Sequence, residues 1–141
     1  MIRYSCQDID FTFSKRHFTS SWLKKVAQEE KRSIGDVNVI FCSDAYILEL
    51  NKKYLNHNYF TDIITFDYCI EDILSGDLFI SVETVKDNSS FYKTSFDEEL
   101  FRVIVHGLLH LVGYNDHTDE EKKTMRFKED FYLQLKDTML V

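Results

Sequence analysis

The stretch VIVHGLLHLVGYNDHT, Val103 to Thr118, holds three of the chain's five histidines. His106 and His110 stand four residues apart on an otherwise apolar run. On an α-helix, residues at that spacing lie one turn apart, with Cβ atoms roughly 5–6 Å from each other. Two imidazoles so placed can reach one divalent ion, at Zn–N distances of about 2.0–2.1 Å. Neutral imidazole serves zinc, copper, nickel and iron alike, so the donor type alone names no metal. A catalytic zinc commonly takes three protein ligands and keeps a position for water, whose pKa falls to about 7. In the turn that follows the helix, Asp116 and His117 both offer a third donor.

The residue after His106 is Gly107. In the HExxH helix of metallopeptidases a glutamate fills that place and serves as general base. Its absence here disfavours peptidase chemistry. Glycine inside a helix costs roughly 1 kcal/mol relative to alanine. It makes sense where a strand or a substrate must approach the helix backbone closely. A lone histidine on an apolar helix is ordinarily a core residue. Two at i, i+4, followed by a Gly-Tyr turn and an Asp-His pair, favour a metal site instead.

The elements that must carry this stretch are legible around it. Ser95-Phe-Asp-Glu98 has capping-box spacing. Phe101, Ile104, Val105, Leu108, Leu109 and Val112 then form a broad apolar stripe, which Gly113 ends. Thr118-Asp-Glu-Glu121 is a second capping box, predicting a last helix from Asp119 to about Asp137. Upstream, Phe18, Trp22, Leu23 and Val26 sit at helical spacing, with Gly35 as the expected end signal. Asp36–Cys42, Thr61–Tyr68 and Gly76–Val82 read as strands, and Ser75-Gly76 as the turn between the last two. Ser43 caps a helix through DAYILELNKKY, and IRYSC or IDFTF adds an edge strand. The fold class expected is α/β (α+β): a small mixed sheet of about four strands packed with about five helices, the central one metal-binding.

The 141 residues suit one domain, 1–141, large enough to bury a core without staples. Apolar residues make up 44% and aromatics 15%, which excludes wholesale disorder. The formal charge of −7 argues against a surface uniformly adapted to polyanions, so nucleic-acid binding would need local positive charge or a metal. Cys6, Cys42 and Cys69 lack CxxC spacing and read as reduced thiols of a cytoplasmic protein. The N-terminus lacks a secretory pattern, and no apolar run approaches the ~20 residues of a membrane span.

HGLLHLVGYNDH resembles the HGxLHLxGYDH signature of the YbeY endoribonuclease family of rRNA maturation factors. LNKKYLNHNYFTDIITFDY is similar to that family's LNxxYRxKDxPTDVLSF segment, and GDLFISVETV to its GDIxIsxeta strand. The three blocks stand in the family's order from about Leu50 to Gly113. The resemblance implies a zinc-dependent, single-strand-specific endoribonuclease of rRNA maturation. Its expected setting is late assembly and quality control of the small ribosomal subunit, with that subunit's assembly proteins as partners. It also implies that His106 and His110 are two of three zinc ligands.

Three departures mark this chain. The family arginine after LNxxY falls on Leu55, its lysine and aspartate on His57 and Asn58, and its proline on Phe60. Lys52, Lys53 and His57 are the cations left to compensate for the arginine. The family's third ligand stands six residues after the second histidine, which here is Asp116. One inserted residue, Asn115, would instead make it His117. Met125 and Glu129 match the family's downstream helix without an insertion, which favours Asp116 as ligand and His117 as its neighbour. Asp62 and His57 are the candidate catalytic side chains beside a metal-bound water. A non-catalytic, metal-stabilised assembly factor and another metal-dependent hydrolase are the rival readings.

Overall fold

The computed structural model describes residues 1–54 and 61–140. The elements run β1 (Ile2–Cys6), α1 (Arg16–Glu29), β2 (Ser33–Cys42), α2 (Asp44–Tyr54), β3 (Ile63–Asp67) and β4 (Ile73–Ser81). Three helices follow: α3 (Val82–Phe91), α4 (Phe96–Val112) and α5 (Asp119–Met139). The strands form one mixed sheet in the order β1-β2-β4-β3. β1, β2 and β4 are parallel, and β3 pairs antiparallel with β4, from Ile63 opposite Ile80 to Asp67 opposite Gly76. Among the described residues, four strands and five helices match the expected class.

Alternation along the strands sorts side chains to two faces. Val37, Val39 and Phe41 of β2 and Leu78 and Ile80 of β4 join Trp22, Leu23 and Val26 of α1 and Ile104, Leu108 and Leu109 of α4 in the main core. Ile64 turns to the opposite face, where Cys42 and Ile47 of α2 complete a smaller cluster. Trp22 is fully buried and donates its indole N–H to the Tyr132 carbonyl at 2.9 Å, which ties α1 to α5. Burying that ring without a partner for the N–H would cost most of what its area contributes.

The helix ends behave as their capping residues dictate. Ser95 Oγ accepts from the Glu98 amide and Thr118 Oγ1 from the Glu121 amide, with the Glu121 side chain returning to the Thr118 amide. Ser43 Oγ likewise accepts from the Tyr46 amide. Gly113 closes α4 at φ +123°, a backbone conformation that side chains with a Cβ rarely adopt.

Several expectations change. α1 ends at Glu29, with Lys31 in the left-handed region, and Gly35 lies inside β2, which begins at Ser33. Ser75 and Gly76 are not a turn: they lie within β4, and the hairpin turns around Glu71 (φ 55°). The Ile9–Phe13 segment forms no strand; Phe11 and Phe13 instead pack edge-on and tilted against Phe41. α3 was not anticipated; its cap is Ser81, whose hydroxyl accepts from the Thr84 amide.

Candidate metal centre

α4 lies across β3 and β4, and Gly107 is the reason it can. A Cβ on Gly107 would stand 2.7 Å from Ile63 Cδ1 and 3.1 Å from both δ-carbons of Leu78. The close approach of a strand to the helix backbone is therefore real. It brings His106 and His110 to the edge of a cleft whose opposite wall is Thr61, Asp62 and Ile63. The turn released by Gly113 then folds Asp116 back over the histidines, and His117 is exposed at the rim.

Within this cleft three donor atoms converge. His106 Nε2 and His110 Nε2 are 3.0 Å apart. Asp116 Oδ2 lies 3.3 Å from the first and 3.6 Å from the second. The edge of a tetrahedron with metal–ligand distances of 2.0–2.1 Å is about 3.3–3.4 Å. The three atoms are thus spaced as three corners of such a site, and the donor set suits a borderline divalent ion. Among the described residues, His106, His110 and Asp116 form the one group of His, Cys, Asp or Glu side chains able to hold a metal.

Behind the first histidine stands a chain of charge. Glu129 Oε2, on α5, lies 2.6 Å from His106 Nδ1. Arg102 donates to Glu129 Oε1 and Asp130 Oδ1, both at 2.8 Å. A carboxylate on Nδ1 fixes the tautomer that leaves Nε2 as the donor toward an ion. The Glu129 side chain is 7% exposed, and its pairing with Arg102 compensates the burial of the carboxylate. Its link to His106 spans 23 residues of sequence, and the Met125–Glu129 spacing gives the register of α5 without indicating that contact.

Electrostatics follow from this packing. Burial pulls the His106 imidazolium down, but the Glu129 hydrogen bond and the charges of Glu129, Asp62 and Asp116 together hold its pKa above the ordinary value. Burial and the neighbouring His106 charge lower that of His110. Burial raises the Asp62 carboxyl, against the attraction of His106. Asp62 is anchored by its carbonyl, which accepts from the Ser81 amide at 2.9 Å.

The structure thus gathers His106, His110, Asp116 and Asp62 about one cleft and leaves His117 at its rim. His57, with the departures at Leu55, Asn58 and Phe60, lies outside the described residues. Asn51 is buried and lines the cleft. No helix among the described residues is long and apolar enough to cross a membrane.

Comparison with known proteins agrees with this architecture. A solution structure from Thermotoga maritima matches with a TM-score of 0.67 and 28% identity, over 95% of this chain and 87% of that one. An Endoribonuclease YbeY from Bacteroides fragilis is 48% identical over 96% of this chain and 97% of its own length. The protein of that name from Phocaeicola vulgatus is 46% identical over 96% and 98%. The family model described as Endoribonuclease YbeY matches residues 2–136. Nearly half of all positions are shared with such relatives across almost the whole chain, and the chain belongs to the YbeY endoribonuclease family.

Proposed function

We propose that this protein is a metal-dependent endoribonuclease that cleaves single-stranded RNA in the cleft between α4 and β3, in the maturation of ribosomal RNA. The observation that carries the reading is the convergence of His106, His110 and Asp116 on a solvent-open cleft in a chain of this family. Zinc is the ion proposed, since two imidazoles and a carboxylate with an open position are a common catalytic zinc set. Bound there, it would supply Lewis acidity to a phosphoryl oxygen and acidity to a water.

The chain's own groups divide the remaining work. Glu129 holds the proton on His106 Nδ1, and Arg102 holds Glu129, so the imidazole plane is fixed before substrate arrives. Asp62 faces the histidines across the cleft with a carboxyl that burial makes more basic than usual. That suits it to accept a proton from the attacking water. His57 remains a second candidate for proton transfer. His117 would meet RNA at the rim as a neighbour of the ligands. The setting proposed is the cytoplasm, at the small ribosomal subunit late in its assembly, beside that subunit's assembly proteins.

Purified protein incubated with single-stranded RNA, with and without chelator, tests the reading. Cleavage should stop with chelator, return with zinc, and be absent in His106→Ala. Stoichiometric zinc uptake with no RNA cleavage would move the protein to the non-catalytic assembly-factor reading. Zinc-dependent cleavage of some other bond would make it a different hydrolase.

A further inference from the structure

A second recess adjoins the metal cleft, and the two share Asp62 and His106 as a common wall. It lies between the C-terminal end of α3, the N-terminal half of α4 and the middle of α5. Asn88, Tyr92, Glu99, Arg102 and Arg126 line much of the rest. Glu129 and Val103 complete the lining; Arg102 and Glu129 brace His106, while Asn88, Tyr92, Glu99 and Arg126 make no hydrogen bond or ion pair with the three metal-site residues.

Glu99 lies at the floor of the recess. The residue is 6% exposed, but its carboxyl oxygens are not enclosed: among the described residues Thr19 Oγ1 is the one enclosed polar side-chain atom without a partner. Arg102 acts on that carboxyl by charge, while its two terminal nitrogens bond Glu129 and Asp130. The carboxyl lines the recess beside two groups that are free to meet a ligand. Arg126 is 61% exposed and touches Glu129 only at 4.0 Å. Tyr92 is 60% exposed, with Phe91 packed edge-on against it at 5.0 Å between ring centroids.

A carboxyl at the floor, an aromatic ring at the lip and an exposed cation beside it match the parts of one nucleotide. Single-strand binders pair base stacking on an aromatic ring with a cation on the backbone. Carboxylates and amides read ribose hydroxyls and base edges. We infer that the recess is a nucleotide subsite for RNA whose scissile phosphate lies in the neighbouring cleft. Tyr92 stacks on the base, Arg126 contacts the flanking phosphate, and Glu99 accepts a hydrogen bond from the ribose or base edge. The strand then passes over the shared wall of Asp62 and His106. This inference rests on the RNA-cleaving reading of the metal cleft.

The test uses the zinc-loaded full chain and a labelled single-stranded RNA of about twelve nucleotides, within the span one small domain covers. Tyr92→Ala is expected to raise KM roughly tenfold, as loss of one stacked base does, and Tyr92→Phe to restore it. Arg126→Ala should raise KM and also reduce the slope of log KM against log salt by about 0.7, the signature of one lost phosphate contact on a single strand. Glu99→Gln, nearly isosteric, should raise KM as well. Wild-type KM and salt slope in all three variants would overturn the subsite while leaving the nuclease intact. A fall in kcat at unchanged KM would overturn it too, by reducing these residues to supports of the metal cleft. A wild-type chain that cleaves no single-stranded RNA would overturn the nuclease reading, and the subsite with it.

Discussion

The Tyr114 hydroxyl donates to Glu30 Oε1 at 2.7 Å, so the turn that carries Asp116 is moored to the end of α1, 84 residues earlier in the chain. Glu30 also accepts from Lys128 at 3.0 Å and from the Tyr132 hydroxyl, both on α5. One carboxylate, 9% exposed on its side chain, thus joins α1, α5 and the turn between α4 and α5. Asp116 stands two residues beyond Tyr114 and so takes its position from this mooring. Tyr114→Phe should weaken zinc binding several-fold, toward the roughly tenfold that groups orienting a ligand commonly contribute. Tyr132→Phe removes a different partner of the same carboxylate and should lower stability while leaving zinc affinity at the wild-type value. Competition with a chromophoric chelator measures both. Equal zinc affinities in the two variants would show that the mooring does not act on Asp116.

Glu129 is the direct support of His106, and its replacement should be felt more strongly. Glu129→Gln keeps the volume but removes the charge that favours a proton on Nδ1 and leaves Arg102 with one charged partner, Asp130. Zinc affinity is expected to fall about 10–100-fold, in the range found for carboxylates behind ligating histidines. The same titration reads it, and circular dichroism checks that the helices persist.

The Glu30 cluster should also shape stability against pH. Burial raises the Glu30 carboxyl, but the hydroxyls of Tyr132 and Tyr114 and the Lys128 ammonium outweigh it and leave its pKa below the ordinary glutamate value. A group whose folded pKa is depressed contributes stability above its unfolded pKa, and that stability is lost as pH falls through the folded one. The wild-type melting temperature should therefore drop on acidification below about pH 4.3, the unperturbed glutamate value. Glu30→Gln should start lower near neutrality and lose less over the same window. Parallel melting curves for the two proteins across that window would remove Glu30 from the account.

What could be read from the chain alone was what short-range physics writes locally. The i, i+4 spacing of His106 and His110, the caps at Ser95 and Thr118 and the left-handed Gly113 each depend on a few neighbouring residues. Ser75-Gly76 misled because the composition of a turn also serves a strand approached by a neighbour. A Cβ on Gly76 would meet the Phe66 carbonyl of β3 at 2.4 Å. α3 was hidden by its run of Asp, Asn and Ser, poor helix formers that only the Ser81 cap and packing on α4 hold in place. Between Asp116 and His117, register favoured the first by little. The fold adds that Asp116 Oδ2 reaches both imidazoles, while the His117 amide is held by Glu121 at 3.2 Å. The supports contributed by Glu129 and Glu30 are tertiary and leave no periodic trace.

Gly107→Ala sets two magnitudes against each other. Alanine should gain roughly 1 kcal/mol inside a helix relative to glycine. Its methyl group, however, would press on Ile63 and on Leu78, which is fully buried and has no room to turn aside. Overpacking a closed core costs about 1–3 kcal/mol, so the clash should outweigh the helical gain and leave a net loss of about 1 kcal/mol. Relief would come most readily by pushing β3 outward, and Asp62 immediately precedes that strand. The variant should therefore melt lower and cleave RNA more slowly, with zinc affinity less affected, because both histidines and Asp116 lie on the helix side of the cleft. Urea unfolding beside single-turnover cleavage separates these effects. A more stable variant would mean that Ile63 and Leu78 yield easily, and that the strand does not approach the helix as tightly as its contacts imply.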